Sequence, residues 1–378
     1  METIPIVPGA TVQAKDLDKT KKLAKKMGYP IVVKPAGGGG GKGMHVVEKA
    51  SQLQGALDLA ASEALSAFGD ATVYIEKYLD KVRHIEMQMA RDTHGNVLHL
   101  GERECSVQRR HQKMIEECPS VAVDKKTREG LVKAATAAVN SVNYHGVGTV
   151  EFLLTAKKEF FFLEMNTRLQ VEHTVTEQVT GLDLVEKQLL IASGEKLPYK
   201  QKDIHWNGWA MECRISAEDP YNNFMPSPGR IGALYEPGGP GVRVDSGVAE
   251  GFEIPIFYDP MIAKLITWGR DRDQAIRRMV RALTDYKILG VKNNIPFLLA
   301  TLKHPSFLKG DFHTGFIDEN MDLFDQRGEN DPERAAIVAA LMEYTSKAEA
   351  AHNGQHAPPA ATSSAWRSVG AGWERPRR

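Results

Sequence analysis

Polar and apolar residues alternate along the segment from 164 to 172. Its polar residues are Glu164, Asn166, Arg168, Gln170 and Glu172. A period of two predicts a β-strand with all five side chains on one face. A half-exposed strand with a solvated face is the simplest interpretation of the pattern alone. Acids, amides and arginine stand where Lys, Glu and Thr are usual, and this mixture favours a functional face.

A second acidic residue is predicted to face this strand. Residues 149–154 have a strand-like composition, and a turn separates them from the next strand. If residues 157–158 form a two-residue hairpin loop, Glu151 lies directly opposite Glu164. Facing carboxylates repel each other by about 0.2–1 kcal/mol when exposed, and a hard divalent cation shared with Asn166 would remove that repulsion. Lys-Lys is a poor two-residue turn, and a shift of one residue would move Glu164 to the other face.

Six glycines lie between residues 37 and 43, with predicted strands at 29–34 and 45–47 on either side. A glycine run is most simply a flexible linker, but strands that flank it so closely favour a flap whose N–H groups bind phosphates. The run is neither a P-loop nor a dinucleotide fingerprint, because no helix follows at once. Lys34 and Lys42 add positive charge for a polyphosphate.

The remaining periodicity predicts an α+β fold. Helices are predicted at 16–27, 51–68, 125–142, 183–192, 272–283 and 332–351. Further strands are predicted at 72–79, 83–90, 96–101, 209–215, 242–245 and 260–268. Residues 4–9 are interpreted as a strand end and a turn. The most basic short stretch, 102–113, is either a solvated charged loop or a loop that faces a small anion.

Composition excludes several classes of protein. The 378 residues suffice for two or three domains, and 42% hydrophobic with 25% charged residues is typical of a globular protein. Lys+Arg and Asp+Glu both number 48, which argues against a nucleic-acid binder or a polybasic membrane anchor. No apolar run approaches the length of a membrane span, and no signal peptide is recognised. Cys105, Cys118 and Cys213 show no paired spacing, so reduced thiols and a cytoplasmic location are predicted.

Four segments together carry a specific combination of motifs: 33–44, 76–79, 103–113 and 164–177. In this order and spacing the chain resembles the biotin carboxylases, from about Val7 to Phe324. These are ATP-grasp enzymes that act as subunits or domains of acetyl-CoA, propionyl-CoA, methylcrotonyl-CoA and pyruvate carboxylases. The resemblance implies an ATP-grasp fold with mixed or antiparallel sheets, followed by a biotin carboxylase C-terminal α+β domain.

The resemblance also implies a domain organisation. An ATP-grasp domain would span 1–202, with a lid subdomain at about 10–80, and the C-terminal domain would span 203–325. A helix and a disordered tail would follow at 326–378. Three departures from the family stand out. Its Rossmann-like N-terminal domain has no counterpart, Thr174 stands where proline is usual, and no Met-Lys-Met biotinylation motif is present. Biotin is therefore expected on another polypeptide.

Individual residues acquire roles from the resemblance. The ATP phosphates would be bound by Lys34, Gly40 and Gly41. The adenine edge would be bound by Glu76, Lys77 and Leu79, with further nucleotide contacts from His84, Gln108 and His111. Magnesium or manganese would be bound by Glu151, Glu164 and Asn166. The bicarbonate pocket would comprise Lys113, Arg168, Gln170 and Val171. Glu172 would be the base that deprotonates bicarbonate, and Arg243 would stabilise the biotin enolate.

The chemistry implied has two steps. Bicarbonate attacks the γ-phosphate of ATP to give carboxyphosphate, which releases CO₂ for capture by N1′ of biotin. Arg168 would bind the planar anion in a fork, and Glu172 on the same predicted strand face would lie beside it.

The expected partners are a biotin carboxyl carrier protein and a carboxyltransferase subunit, with a homodimer left open and neither nucleic acid nor membrane expected. Two alternatives remain. One is another ATP-grasp ligase such as half of a carbamoyl-phosphate synthetase, against which Arg243 and residues 108–113 argue. The other is a truncated, weak or inactive remnant that acts as an interaction module.

Overall fold

The computed structural model describes residues 4–14, 16–37 and 43–321, together with Ala340. Gly40, Gly41 and Lys42, predicted to bind phosphate, lie outside these residues. So does the predicted helix at 332–351, apart from Ala340. Within the described part of the chain, no helix is long and apolar enough to cross a membrane.

A four-stranded antiparallel sheet forms the first part of the fold. Its elements are β1 (Gly9–Gln13), α1 (Leu17–Met27), β2 (Ile31–Pro35), β3 (His45–Val47), α2 (Leu53–Phe68) and β4 (Thr72–Lys77), with a 3₁₀ turn at Ala50–Gln52 before α2. The strand order is β1-β4-β2-β3. The predicted strands on either side of the glycine run are confirmed and pair with each other. The phosphate-binding role of the run stays a prediction. Strand β1 was missed, because Val12 is its one buried residue and the polar pattern around it is weak.

An eight-stranded antiparallel sheet forms the centre of the molecule. The elements up to residue 192 are β5 (Arg83–Arg91), β6 (Val97–Arg109), β7 (Gln112–Cys118), α3 (Lys125–Ser141), β8 (Gly146–Leu154), β9 (Phe160–Asn166), α4 (His173–Thr180) and α5 (Leu184–Ala192). After a 3₁₀ turn at Gln201–Asp203 come β10 (Trp209–Ser216), β11 (Glu218–Asp219), β12 (Met225–Pro226), β13 (Gly229–Arg230), β14 (Ala233–Tyr235), β15 (Val242–Ser246), β16 (Glu253–Ile254), β17 (Met261–Gly269), α6 (Arg272–Asp285), β18 (Lys287–Leu289), α7 (Ile295–Lys303), α8 (Pro305–Lys309) and α9 (Phe316–Glu319).

Strands from both sides of residue 202 join this sheet, whose order is β15-β17-β10-β7-β6-β5-β8-β9. The short pairs β11–β12, β13–β16 and β14–β18 lie outside it. The α+β class is confirmed. The division into domains at residue 202 stays a prediction, since the sheet continues across it.

The two faces of the central sheet differ in chemistry. On β5 the apolar side chains, which pack in one core cluster with residues of α3, are Ile85, Met87 and Met89. The alternate residues, His84, Glu86 and Gln88, are polar and also buried. They lie on the face covered by α4, which packs against β6, β7, β10 and β17. Strand β5 therefore has one apolar side and one buried polar side, and we call the second side the buried polar face of the sheet.

The basic stretch at 102–113 was interpreted wrongly as a loop. It forms the end of β6, a turn, and the start of β7, and residues 102–108 are all buried. The turn itself is at Arg110 and His111, whose φ angles are +49° and +65°. Charge in the strand is tolerated because partners lie across the sheet and on α3. Arg103 pairs with Glu86, and Arg128 of α3 pairs with Glu102.

The predicted pairing of Glu151 with Glu164 is confirmed, but the predicted hairpin loop is wrong. Leu154 pairs with Phe160 and the turn is one residue longer than expected, with Lys158 at φ +64°. A bulge between Glu151 and Phe152 then restores the predicted register. The longer turn and the bulge shift the strand register in opposite directions, so Glu151 still lies opposite Glu164.

The strand predicted through Glu172 is too long, because β9 ends at Asn166. Glu172 has φ −80° and ψ 10°, which is not extended, and α4 begins at the next residue. The argument that Arg168 and Glu172 share a strand face is therefore wrong. Gln170 and Glu172 are buried by contacts with the sheet, while Arg168 stays exposed.

Candidate active site

Charged side chains from six neighbouring strands converge on the buried polar face. In spatial order across the sheet they are Glu164 (β9), Glu151 (β8), Glu86 (β5), Arg103 (β6), Lys113 (β7) and Arg214 (β10). The segment that precedes α4 adds Gln170 and Glu172. The site thus depends on long-range strand pairing, with few members adjacent in sequence.

Lys113 is the centre of this arrangement. Its Nζ lies 2.6 Å from Glu86 Oε2, 2.9 Å from Glu151 Oε1 and 2.6 Å from Glu172 Oε1. We call these four residues the Lys113 cluster. The side chains of its glutamates are 0–6% exposed and that of Lys113 is 11% exposed. One ammonium group therefore uses its three donors on three carboxylates that water barely reaches.

Burial and charge act in opposite directions on the pKa values of this cluster. Burial alone would raise the pKa of Glu86, but Lys113 and Arg103 outweigh it and lower that pKa to about 2. Burial would also raise the pKa of Glu151, and His84 and Lys113 reverse this to a value below the ordinary range. Burial would lower the pKa of Lys113, and the surrounding carboxylates, led by Glu86, raise it well above normal. Glu86, Glu151 and Lys113 are therefore stable in their ionised forms.

Arg103 is fully buried and contacts the cluster through Glu86. Its Nε lies 2.5 Å from Glu86 Oε1, and its NH2 lies 2.9 Å from Gln170 Oε1. Its other donors bond Gln88, Thr149 and Thr176. A planar guanidinium with five donors can bridge β5, β8 and α4 at once, which a lysine could not do.

Glu172 lies between two cations. Its Oε1 accepts a hydrogen bond from Lys113, and its Oε2 accepts one from Arg214 NH2 at 2.9 Å. Arg214 in turn donates from Nε to Glu116 Oε1 at 2.6 Å. A small pocket opens beside these groups, with Lys113, Arg214, Gln112, Ser216, Glu218 and Phe224 among its lining residues.

The predicted metal ligands lie together at the edge of the site. Glu151 and Glu164 face each other, and the Asn166 amide nitrogen lies 3.1 Å from Glu151 Oε1 and 3.5 Å from Glu164 Oε1. Two carboxylates and an amide can supply the oxygen donors that Mg²⁺ or Mn²⁺ prefers. The amide would have to turn its oxygen, which now accepts from Arg168, toward the carboxylates. The donor set therefore fits a hard divalent cation.

The predicted nucleotide residues divide into three groups. His84 Nε2 lies 3.2 Å from Glu151 Oε2, so it joins the site directly. Lys34 Nζ lies 2.8 Å from Glu76 Oε1 across β2 and β4. The rest have other surroundings: Lys77 donates to the carbonyls of Gly28 and Tyr29, Gln108 donates to the carbonyl of Cys105, Leu79 is half-buried and His111 is exposed.

The predicted bicarbonate residues differ in how they relate to the Lys113 cluster. The amide nitrogen of Gln170 donates to Glu151 Oε1 at 2.8 Å. The carbonyl of Val171 accepts a hydrogen bond from Lys264 Nζ at 3.1 Å. Arg168 is exposed, and its NH2 donates to Asn166 Oδ1 at 3.3 Å. Lys113 and Gln170 thus lie in or against the cluster, and Arg168 joins it through Asn166.

The sequence matches two family models. The first is Carbamoyl-phosphate synthase L chain, ATP binding domain, over residues 2–200, and the second is Biotin carboxylase C-terminal domain, over residues 212–319. The chain is 49% identical over 316 residues to Biotin carboxylase 1 of Bacillus subtilis, a match that covers 83% of this chain and 70% of that protein. The chain belongs to the biotin carboxylase family.

Other relatives agree with this membership. A pyruvate carboxylase subunit from Methanothermobacter thermautotrophicus is 52% identical over 316 residues, and the match covers 84% of this chain but only 64% of that protein. The biotin carboxylase domain of Hydrogenobacter thermophilus 2-oxoglutarate carboxylase, a dimer solved with MgADP, ADP and bicarbonate, has a TM-score of 0.81 and 44% identity, with 85% of this chain and 71% of that one covered. The ATP-grasp fold and the C-terminal biotin carboxylase domain are confirmed.

In this member of the biotin carboxylase family, sequence reasoning missed three residues of the site: Glu86, Arg103 and Arg214. Glu86 and Arg214 are on strands whose polar residues alternate with apolar ones, and Arg103 is in the stretch that was interpreted as a loop. The signal that could have found them is the repeated mixture of acids, amides and Arg or His at period two, as in 84–88.

Arg243 lies apart from the Lys113 cluster. Its Nε and NH2 pair with Asp245 at 2.7 and 2.9 Å, and its NH1 lies 2.8 Å from Glu177 Oε2. Asp245 also lies 3.3 Å from Lys264, which bonds the Val171 carbonyl. The predicted role of Arg243 at biotin stays a prediction. Arg214 is the arginine that directly contacts Glu172.

Proposed function

We propose that this chain carboxylates biotin in an ATP-dependent reaction with bicarbonate, through carboxyphosphate, as an ADP-forming ligase. The observation that carries the proposal is Glu172, a buried carboxylate bonded at one oxygen to Lys113 and at the other to Arg214. A base held between two cations suits the deprotonation of a small anion, because the cations also bind that anion.

The reaction needs charge neutralisation at each stage. Lys113, once one of its three carboxylate bonds opens, and Arg214 would bind bicarbonate. Gln170 would orient it by an amide hydrogen bond. Glu172 would accept the bicarbonate proton, so that the remaining oxygen can attack the γ-phosphate of ATP. Arg103, which bonds Glu86 and Gln170, would keep both in position for this step.

Glu151, Glu164 and Asn166 would hold Mg²⁺ or Mn²⁺. When bound, the cation would offset negative charge on the ATP phosphates. We retain the remaining predicted nucleotide residues as ATP contacts of the lid and its neighbours. They are Lys34, Gly40, Gly41, Glu76, Lys77, Leu79, Gln108 and His111.

The second half-reaction requires an arginine near the biotin ureido oxygen. Arg214 lines the pocket beside Lys113, which supports it for this role. Arg243 was predicted from the resemblance and is retained as the competing assignment. Its guanidinium is already paired with Asp245 and Glu177, so binding a substrate there would require those pairs to open.

We further propose that biotin arrives on a separate biotin carboxyl carrier protein, and that a carboxyltransferase subunit of an acyl-CoA carboxylase receives the carboxyl group. Relatives named as carboxylase subunits support this arrangement, as the solved dimer supports a homodimer. The buried, unpaired cysteines are consistent with the predicted cytoplasmic location.

The test is ATP hydrolysis by the whole chain, with bicarbonate, free biotin and Mg²⁺ each supplied or withheld. We expect hydrolysis that needs bicarbonate and rises with biotin. Glu172→Gln should lower it by about 10²-fold or more, because a positioned general base contributes about 10²–10⁴-fold. Arg281→Ala is the matched control, since Arg281 on α6 bonds only Asp285 and the Gly238 carbonyl within the described residues, both at an exposed surface.

Arg214→Met and Arg243→Ala decide between the two arginines. Loss of the biotin stimulation in the first variant alone would assign the role to Arg214. Loss of the biotin stimulation in Arg243→Ala alone would assign the role to Arg243. Folded protein that hydrolyses no ATP under any condition would contradict the proposed activity and favour the non-catalytic remnant.

A further inference from the structure

Two more glutamates face each other beside the site, and the reaction above does not use them. Glu116 on β7 lies directly opposite Glu212 on β10 in the antiparallel register. Both residues are 0% exposed. Side chains directly opposite on adjacent strands have Cβ atoms about 4.5–5.5 Å apart. Two carboxyl groups are therefore forced together in a place that water does not reach.

Each glutamate has one bonded oxygen and one without a partner. Glu116 Oε1 accepts the 2.6 Å hydrogen bond from Arg214 Nε. Glu212 Oε2 accepts a short hydrogen bond from the Thr174 hydroxyl, in the first turn of α4. Within the described ranges, Glu116 Oε2 and Glu212 Oε1 have no hydrogen-bond partner. Unpartnered buried oxygens are costly unless a proton lies between them.

The charges around the pair do not balance two anions. Among the residues that the structure describes, Arg214 on β10 is the one cation bonded to the pair, and it also bonds Glu172. Lys113 on β7 is bonded within its own cluster. Lys264 on β17 bonds the Val171 carbonyl and Asp245. The α4 side contributes the neutral Thr174 and, just before the helix, the carboxylate of Glu172.

We propose that Glu116 and Glu212 share one proton, with Glu212 as the neutral acid and Glu116 as the carboxylate that orients Arg214 toward Glu172. The proton on Glu212 Oε1 would be donated to Glu116 Oε2, which gives both unpartnered oxygens a partner. Glu116 keeps the charge because Arg214 neutralises it. Both glutamates are positioning residues. The proton sharing itself does not depend on the proposed function, whereas its effect on catalysis does.

The electrostatics support this assignment. Burial raises the pKa of Glu116 to about 7, although Arg214 opposes the rise. Burial and the neighbouring Glu116 raise the pKa of Glu212 well above its ordinary value of 4.5. For an acid with a raised folded-state pKa, the stabilisation is complete below the unfolded pKa and is lost as pH rises through the folded pKa. Native stability should therefore fall across that window.

Infrared difference spectroscopy on the whole chain tests the proton directly. The spectrum of wild type minus Glu212→Gln at neutral pH should contain the carbonyl stretching band of a protonated carboxylic acid. Thr174→Val keeps that acid but removes its hydroxyl donor, so the same band should move to higher frequency. This second variant keeps the test valid if Glu212→Gln folds poorly. The absence of an acid band in wild type would overturn the proposal.

Thermal melting against pH provides an independent measurement. The amide introduced by Glu212→Gln has no acidic proton to lose, so the melting temperature of this variant relative to wild type should increase with pH above about 4.5. Glu117→Gln is the matched control on the same strand, because both oxygens of Glu117 are bonded, to Arg272 and Trp209. Its offset from wild type should not improve with pH. A Glu212→Gln offset that is constant with pH would contradict proton sharing.

The positioning role is tested on bicarbonate-dependent ATP hydrolysis. Glu116→Gln should lower kcat by about 10- to 100-fold, since small misplacements of a catalytic group have effects of that size. In Glu212→Gln the alkaline limb of the kcat profile should move to higher pH. If the infrared band is present and hydrolysis is absent from wild type, the proposed function fails and the shared proton stands. An acid band together with an unmoved alkaline limb would overturn the positioning role.

Discussion

The Lys113 cluster and the Glu116–Glu212 pair lie on the same buried polar face, yet their carboxyl groups behave in opposite ways. In the cluster the pKa of Glu86 is lowered to about 2, although the side chain is completely buried. In the pair the pKa of Glu212 is raised well above its ordinary value of 4.5 at the same burial. Burial is equal in the two regions, so it cannot explain the difference.

Cations explain it. Around Lys113, three carboxylates share the charges of Lys113, Arg103 and Arg214. Beside them, within the described residues, one cation is bonded to the two facing carboxylates. This cation is Arg214, and Glu172 shares its charge. A buried acid stays ionised when a cation is bonded to it and becomes protonated when none is available. One face of a sheet can thus provide both an anionic site and a neutral acid.

Removing the central cation should have the largest effect. Lys113→Met leaves three buried carboxylates without their shared ammonium, and breaking a buried ion pair in this way costs about 3–5 kcal/mol. The cluster should then acquire the protonated character of the pair, and bicarbonate-dependent ATP hydrolysis should be lost. Chemical denaturation and the hydrolysis assay measure the two effects.

The matched control for this change is Lys81→Met. Lys81 makes an exposed 3.7 Å ion pair with Glu319, a type of contact worth at most about 1 kcal/mol. A Lys113→Met variant as stable as Lys81→Met would show that the carboxylates of the cluster do not depend on Lys113.

Arg103→Lys should have an intermediate effect. The charge is kept, but an ammonium has three donors and cannot reach Glu86, Gln88, Thr149, Thr176 and Gln170 together. Each buried acceptor left without a donor costs about 1–3 kcal/mol. At least two of the five acceptors lose their donor, so we expect a loss of stability of at least about 2 kcal/mol. We also expect a raised KM for bicarbonate, since Gln170 loses its support. An unchanged KM would indicate that Gln170 is held without Arg103.

The sequence predicted the architecture better than the site. Alternation identified most strands, and the facing position of Glu151 and Glu164 was predicted correctly even though the loop was wrong. That success depended on the bulge between Glu151 and Phe152, which offset the longer turn at Lys158. Register is decided by such local irregularities, which a period-two pattern does not contain.

Burial of the polar face could not be predicted in the same way. A strand with charged residues at every second position has the same pattern whether water or α4 covers that face. Glu86 and Arg214 were missed for this reason, and Arg103 was missed because its stretch was interpreted as a loop. In the segment after Asn166 the alternation continued beyond the end of the strand, so the geometry that placed Glu172 beside Arg168 was wrong.

The smallest effect is expected at Thr174, where this chain departs from the proline usual in the family. Thr174→Val removes the hydroxyl that bonds Glu212 Oε2 and leaves the shape of the side chain almost unchanged. We expect a loss of about 1 kcal/mol by chemical denaturation, the usual net value of one hydrogen bond. Thr174→Ser keeps the hydroxyl and should remain closer to wild type. Because a protonated Glu212 needs this donor less than an ionised one, the cost of Thr174→Val should grow as pH rises and Glu212 loses its proton. If the cost of Thr174→Val falls as pH rises, the Thr174 hydroxyl stabilises the neutral form of Glu212 instead. Arg214 alone would then explain the contrast between the pair and the Lys113 cluster.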